Sequence, residues 1–124
     1  MLYRGSCHCG RIAFEVEGEL EAAVACNCSI CAKRGSLLWA VPHDRLRLRA
    51  AVADLGSYSF NRHVFAHRFC KTCGIHTHAE DAAPKAERSA PEAQADRMSY
   101  INIRCLEGVD LASVPAIEFD GRST

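Results

Sequence analysis

Residues 70–74 read Cys-Lys-Thr-Cys-Gly, and residues 7–10, near the start of the chain, read Cys-His-Cys-Gly. In both stretches a glycine follows the second cysteine, and glycine lets backbone N–H groups turn towards the sulfurs without a clash from a Cβ atom. Zn²⁺ prefers four tetrahedral ligands, and in a structural site the protein supplies all four. The two pairs form such a set, which would clamp the N-terminal strand to the middle of the chain: Cys7, Cys9, Cys70 and Cys73.

A third group of cysteines lies between these two pairs, at Cys26, Cys28 and Cys31. Three protein thiolates, with a fourth position left to water or substrate, are typical of a catalytic zinc. If the last two lie on the first turn of a short helix, its free N–H groups also stabilise the thiolates. Alternatively, Cys105 or a histidine completes the group as a second structural site. Spacing alone leaves the open site, the closed site and other pairings of the three groups all available.

Eight cysteines in 124 residues are also typical of proteins that are stabilised by a framework of disulfide bonds. Seven of the eight lie in tight groups, however, and disulfides more often join distant segments. The first residues contain no apolar stretch that resembles an export signal. We therefore expect reduced, metal-binding thiols in a cytoplasmic protein.

The composition excludes several other classes. Fifteen Lys and Arg residues balance fifteen Asp and Glu residues, which argues against nucleic-acid binding because such proteins usually carry an excess of positive charge. The longest apolar run, residues 37–41, is far shorter than the ~20 residues of a membrane span. The length and the 48% hydrophobic content fit one globular domain, residues 1–124.

The hydrophobic pattern predicts a mainly β fold. Residues 10–18 alternate, with Ile12, Phe14 and Val16 on one face. The best candidate for a helix is the short stretch 29–34 beside the middle cysteine group, which Gly35 would end. A long polar loop is expected at residues 82–97, where Ala, Pro, Glu and Gln predominate. The other predicted strands are residues 36–41, 46–50, 57–61, 63–69 and 98–104, with a possible hairpin turn at Asn61 and Arg62.

Five motifs occur in the order of a known family. They are Gly-Ser-Cys-His-Cys-Gly at 5–10, Cys-Asn-Cys-Ser-Ile-Cys at 26–31, Arg-Phe-Cys-Lys-Thr-Cys-Gly at 68–74, Asn-Ile-Arg-Cys-Leu at 102–106 and Phe-Asp-Gly at 119–121. Over residues 3–121 the chain resembles the glutathione-dependent formaldehyde-activating enzyme family, which also includes the domain of centromere protein V. The three cysteine groups in this order are the specific part of the resemblance.

The resemblance implies stacked, twisted antiparallel sheets that carry two Zn²⁺ ions. It assigns a structural zinc to Cys7, Cys9, Cys70 and Cys73, and a catalytic zinc with an open fourth position to Cys26, Cys28 and Cys31. The family's reaction joins formaldehyde to the thiol of glutathione, giving S-(hydroxymethyl)glutathione, and is formally that of a carbon–sulfur lyase. Because a fold does not fix a substrate, the alternative is a non-catalytic, zinc-stabilised binding module.

The remaining cysteine, histidine and aromatic residues are predicted to have structural or surface positions, or to hydrogen-bond a metal ligand. Cys105 is expected to be a small buried residue near the middle zinc. His67 either hydrogen-bonds a thiolate of the third group or lies on the surface. His76 and His78 are predicted to share one exposed, polar strand face. Aromatic residues at strand spacing are assigned to the core: Trp39, Phe60, Phe65 and Phe69.

Overall fold

The computed structural model describes residues 1–59, 65–81 and 97–120. Within these ranges the chain forms ten strands and one α-helix, joined in places by short 3₁₀ turns. In chain order they are β1 (Leu2–Ser6), β2 (Ala13–Glu17), β3 (Ala23–Cys26), α1 (Ser29–Arg34), β4 (Leu38–Pro42), β5 (Leu46–Arg49), β6 (Leu55–Tyr58), β7 (Phe65–Cys70), β8 (His76–Asp81), β9 (Met98–Asn102) and β10 (Ala116–Phe119). The fold is mainly β, as the sequence predicts.

Two sheets are present. A three-stranded sheet has the order β1-β2-β5, and a seven-stranded sheet has the order β10-β3-β4-β9-β8-β7-β6. All pairs among the described strands are antiparallel except β3 and β10, which run parallel. The antiparallel sheets that the resemblance implies are therefore present, with one parallel pair at the edge of the larger sheet.

The core lies between the two sheets. Strand β2 alternates as its sequence predicts, and Phe14 and Val16 are almost fully buried. They pack in one cluster with Trp39 and Ile101 of the larger sheet. The ring of Tyr3 meets Trp39 edge to face at a centroid distance of 5.4 Å. This packing stacks the small sheet on one half of the large one.

The boundaries of the predicted elements differ slightly from the observed ones. The helix is confirmed at residues 29–34, and Gly35 ends it with a φ of +65° and an N–H bond to the carbonyl of Cys31. The strand predicted at 98–104 ends at residue 102, where a 3₁₀ turn begins. The predicted hairpin turn at 61–62, Phe60 and all but the last residue of the 82–97 loop lie outside the described residues.

Four strands were not predicted as separate elements: β1, β3, β8 and β10. In their sequences, apolar and polar residues do not alternate clearly, and the reasons differ. β10 is exposed along its whole length, whereas β8 is buried on both faces over its first four residues. Neither pattern alternates, because alternation appears only where one face of a strand is buried and the other is solvated.

The aromatic residues divide between core and surface. Trp39 is buried, which confirms its assignment to the core. Phe65 is 42% exposed, so its core assignment is wrong. Its ring meets that of Tyr100 edge to face at a centroid distance of 5.6 Å and lies 6.4 Å from that of His67. Phe69 is half-buried and its ring covers Gly56 so closely that a Cβ atom there would lie 2.4 Å from it. None of the helices in the described residues has the length and apolarity to cross a membrane.

Candidate metal centres

The first and third cysteine groups meet in space. The Sγ atoms of Cys7, Cys9, Cys70 and Cys73 all lie within 4.8 Å of one another. The Cys7–Cys9 sulfur distance is 3.7 Å and the Cys9–Cys70 distance is 3.6 Å. Four thiolates placed tetrahedrally about a zinc at about 2.3 Å have sulfurs about 3.8 Å apart. The donor set and its spacing therefore fit a closed Cys₄ site.

Two similar turns present these four sulfurs. In the first turn the N–H of Cys7 bonds the carbonyl of Ile12 at 2.9 Å, and in the second the N–H of Cys70 bonds the carbonyl of Ile75 at 3.0 Å. Gly10 and Gly74 occupy equivalent places, with φ of +83° and +80°, a region that favours glycine. One turn joins β1 to β2 and the other joins β7 to β8, so the cluster links the two sheets.

Backbone N–H groups point at the sulfurs of this cluster. The N–H of Ile12 donates to Sγ of Cys7 at 3.4 Å. The N–H groups of Cys9 and Ile75 lower the pKa of Cys73 to about 6. The N–H of Cys73 likewise lowers the pKa of Cys70. Such donors favour the thiolate form, which is the form that binds a metal.

The middle cysteine group forms a second cluster. Cys26 is the last residue of β3, Cys28 immediately precedes α1 and Cys31 lies in its first turn. Their Sγ atoms all lie within 4.8 Å of one another. No histidine, cysteine, aspartate or glutamate from the described ranges joins these three as a fourth donor at that distance. The geometry is that of three thiolates with one ligand position left over.

The three sulfurs differ in their environments. Burial would raise the pKa of Cys28, but hydrogen bonds from the backbone N–H groups of Cys31 and Ile30 and from the thiols of Cys31 and Cys26 together outweigh it and lower the pKa. Burial and the neighbouring sulfurs raise the pKa of Cys31 to about 12. The N–H of Cys28 also lies 3.4 Å from Sγ of Cys26. Since the neighbouring sulfurs oppose the ionisation of Cys31, a bound cation would favour the form in which all three are thiolates.

Cys105 lies next to β1. Residues 105–106 run beside β1, through the bridge between Gly5 and Leu106. Burial raises the pKa of the Cys105 thiol to about 11, and the charges of Cys7 and Cys73 add to the effect. Cys105 is therefore a neighbour of the four-cysteine cluster, and its thiol also lies 3.6 Å from the carbonyl oxygen of His76. Its closeness to the middle group stays a prediction.

The two histidines of β8 also differ from the prediction. Arg68 of β7 pairs with His78, but Phe69 pairs with His76, so Thr77 is an additional residue in β8. Such a bulge reverses the alternation of side chains beyond it. Instead of sharing one face, the two imidazoles point to opposite faces of the sheet, and they are 8% and 1% exposed rather than solvated.

Contacts of the two imidazoles confirm this arrangement. His76 lies with Nδ1 3.1 Å from the hydroxyl of Ser36, and its ring centroid is 6.0 Å from that of His67. His78 lies instead with Nδ1 3.0 Å from the hydroxyl of Thr77. His67 is 6% exposed, so the surface alternative for this residue is wrong.

Arg34 and Ser36 are site residues that the sequence analysis missed. Arg34 lies three residues after Cys31 in α1, a spacing that puts both side chains on neighbouring positions of one helix surface. Its positive charge lowers the pKa of both His67 and His76. The helical spacing of Cys31 and Arg34 could be predicted from the sequence. The approach of β7 and β8 to this face of the helix could not.

The family of this chain is shown by a family model that matches the part of the sequence containing both clusters. The family model described as glutathione-dependent formaldehyde-activating enzyme matches residues 2–101. The chain belongs to this family. The match includes every cysteine of the two clusters, and Cys105 lies beyond it.

A solved structure agrees with the family assignment. The crystal structure of a Rhodobacter sphaeroides protein is 30% identical in sequence, with a TM-score of 0.72. The similarity covers 91% of this chain and 98% of that one. The fold is thus common to nearly the whole length of both proteins.

Proposed function

We propose that this member of the glutathione-dependent formaldehyde-activating enzyme family is a zinc enzyme of the carbon–sulfur lyase type. Its substrates would be a small aldehyde and a thiol, formaldehyde and glutathione being the pair that the family description names. The observation that carries the proposal is the middle cluster, in which Cys26, Cys28 and Cys31 converge without a fourth donor from the described residues. Three protein ligands and an open position are typical of catalytic zinc.

The reaction needs little beyond a reactive sulfur and a polarised carbonyl. The S–H bond of the thiol breaks, its sulfur forms a bond to the aldehyde carbon, and the carbonyl oxygen receives the proton as a hydroxyl group. Zinc held by the three cysteines would lower the pKa of the substrate thiol or polarise the aldehyde oxygen. The soft, all-sulfur donor set suits a thiol ligand.

We assign the other cluster, Cys7, Cys9, Cys70 and Cys73, to a structural zinc. Its four sulfurs complete a tetrahedral set, so no position remains for a substrate. Because this cluster lies between the β1–β2 turn and the β7–β8 turn, its metal would hold the two sheets together. A cytoplasmic location and the absence of nucleic-acid binding stay predictions from the sequence.

Metal content gives the first test. Protein purified without added metal, then repleted with zinc and desalted, is expected to contain two zinc ions per chain by elemental analysis. Cys31→Ser should retain one ion and Cys105→Ser should retain two, since Cys105 belongs to neither cluster. A single ion in the repleted parent protein would contradict the two-site assignment.

Thiol binding and turnover test the function itself. Glutathione should change the visible spectrum of protein with cobalt in the middle cluster, because a fourth sulfur alters the ligand field. Exchange NMR should then show that the zinc protein forms the hydroxymethyl adduct faster than the spontaneous reaction. Cys105→Ser, the matched control, should behave like the parent. Absence of both effects with glutathione and with small thiols would favour the non-catalytic binding module.

A further inference from the structure

Two polar side-chain atoms near the middle cluster are buried and have no hydrogen-bond partner within the described residues: Nη1 of Arg34 and Nε2 of His76. His76 is 8% exposed, so water does not readily replace the missing partner. Native proteins satisfy almost all such atoms, and an exception calls for an explanation. One explanation is a bound ligand that supplies the missing hydrogen-bond acceptor.

The two residues are brought together where α1 ends, because the hydroxyl of Ser36, two residues after Arg34, lies 3.1 Å from Nδ1 of His76. Arg34 follows Cys31 by one helical turn, and the charges of the two side chains act on each other. The guanidinium also acts on the His76 imidazole, which β8 brings to the same side through its bulge. Cys31, Arg34 and His76 are therefore neighbours although they come from two separate elements.

The chemistry of these two groups favours an oxygen that carries negative charge. Arg34 is a cation with N–H groups only, so it donates. Burial and the guanidinium hold the pKa of His76 down at about 3, so its imidazole is neutral. Nδ1 of His76 lies 3.1 Å from the hydroxyl of Ser36, and we assign the tautomer in which this hydroxyl donates to Nδ1, so that Nε2 carries the ring proton and donates as well. Two donors without acceptors fit one oxygen atom.

We propose that Nη1 of Arg34 and Nε2 of His76 together bind the substrate oxygen on which negative charge develops when the thiol adds to an aldehyde. This inference rests on the proposed function and names a subsite within it. As the carbon–sulfur bond forms, the electron pair of the carbonyl π bond moves to oxygen, which afterwards takes up the proton released by the thiol. Donors already in place at that oxygen stabilise the transition state more than the ground state.

The activity test compares conservative variants. His76→Asn keeps an amide near the position of Nδ1, beside Ser36, and removes the group at Nε2. His76→Gln instead places an amide near the position of Nε2. We expect His76→Asn and Arg34→Gln to lower kcat for adduct formation by at least ~10-fold with KM for the thiol changed less than ~3-fold. His76→Gln should recover part of the loss.

Matched controls separate this role from a structural one. Lys33→Gln removes a neighbouring, exposed cation from the same helix and should leave the rate unchanged. His78→Gln changes the other buried imidazole of β8, which points to the opposite face. All variants should bind two zinc ions. Equal rates in the parent, His76→Asn and Arg34→Gln would overturn the proposal, as would equal losses in His76→Asn and His78→Gln.

A binding experiment makes the subsite testable without turnover. Formate, a small oxygen anion without sulfur, is titrated into ¹⁵N-labelled zinc protein while the side-chain signals of His76 and Arg34 are followed by NMR. We expect saturable shifts of Nε2 of His76 and of the guanidinium, which are lost in His76→Asn. Absence of shifts at the solubility limit overturns the subsite. Shifts without any thiol binding or adduct formation would support the subsite and reject the lyase function.

Discussion

At the scale of single residues, close packing decides where the chain tolerates no change. Gly5 of β1 lies where the two sheets approach, opposite Leu106. A Cβ atom at this position would meet the ring of Phe14 at 2.5 Å and the carbonyl oxygen of Cys105 at 2.8 Å. The ring is in the core and the carbonyl belongs to the backbone, so neither can move cheaply.

Gly5→Ala is therefore expected to lower the free energy of unfolding by about 1–3 kcal/mol, the usual cost of overpacking a core. Urea denaturation of the zinc-loaded protein measures the change. Ser57→Ala, an exposed position of β6, serves as the control and should lie within about 0.5 kcal/mol of the parent. An unchanged midpoint for Gly5→Ala would show that β1 and residues 105–106 do not approach as described.

At the scale of elements, β8 is the strand whose structure departs most from its sequence pattern. Its first four residues are buried on both faces, although they include two histidines and a threonine. Burial holds the pKa of His76 at about 3 and that of His78 at about 4, well below their usual value. Both imidazoles are therefore neutral in the folded state at pH values at which the unfolded chain is protonated.

A pH dependence of stability follows from His78. Between its folded pKa of about 4 and its unfolded value near 6.5, the unfolded state binds one more proton, so stability falls as the pH falls. One such proton contributes about 1.4 kcal/mol per pH unit within the window. His78→Gln should reduce the slope of unfolding free energy against pH, measured by urea denaturation from pH 4.5 to 6, by about one proton.

The same measurement on His8→Gln is the control, because His8 is exposed and lies between two cysteines of the other cluster. Loss of zinc at low pH is common to all the proteins compared and cancels in the difference of slopes. Equal slopes in the parent and His78→Gln would mean that His78 is protonated in the folded protein.

At the scale of the whole molecule, the four-cysteine cluster joins parts of the chain that no strand pairing connects directly. Cys9 and Cys70 are 61 residues apart in sequence, and their turns belong to different sheets. The three-cysteine cluster lies within six residues, from the end of β3 to the first turn of α1. Metal binding at the first cluster closes a long loop, whereas metal binding at the second closes a short one.

Loss of one cysteine is thus expected to have different consequences in the two clusters. Cys70→Ser should be insoluble or should lower Tm by roughly 10 °C or more, because the binding free energy of a structural metal is folding free energy. Cys31→Ser should fold, keep one zinc and lose glutathione binding and adduct formation. Thermal melting and zinc content of both variants are measured side by side. An equal loss of Tm in the two would assign a structural role to the middle cluster as well.

Much of the fold and of the candidate site is legible in the sequence. The cysteine spacings identify the three groups of thiols, because a turn of one or two residues suffices to bring neighbouring sulfurs to one metal. The alternation of Ile12, Phe14 and Val16 predicts β2, since one face of that strand is buried and the other is not. Gly35 marks the end of α1 because it provides the left-handed residue that a helix end uses.

Other features depend on contacts between distant segments. The sequence pattern of β8 contains no sign of its bulge, which arises from the pairing of Phe69 with His76. That pairing sends His76 to the face where it contacts Ser36 and His67, and His78 to the other. Residues 105–106 reach β1 in the same non-local way. Local spacing determines which cysteines form a group, whereas the tertiary fold brings the first and third groups together although they are 61 residues apart. The register of the sheet determines which side chains surround the clusters, because register is set by the strands on either side.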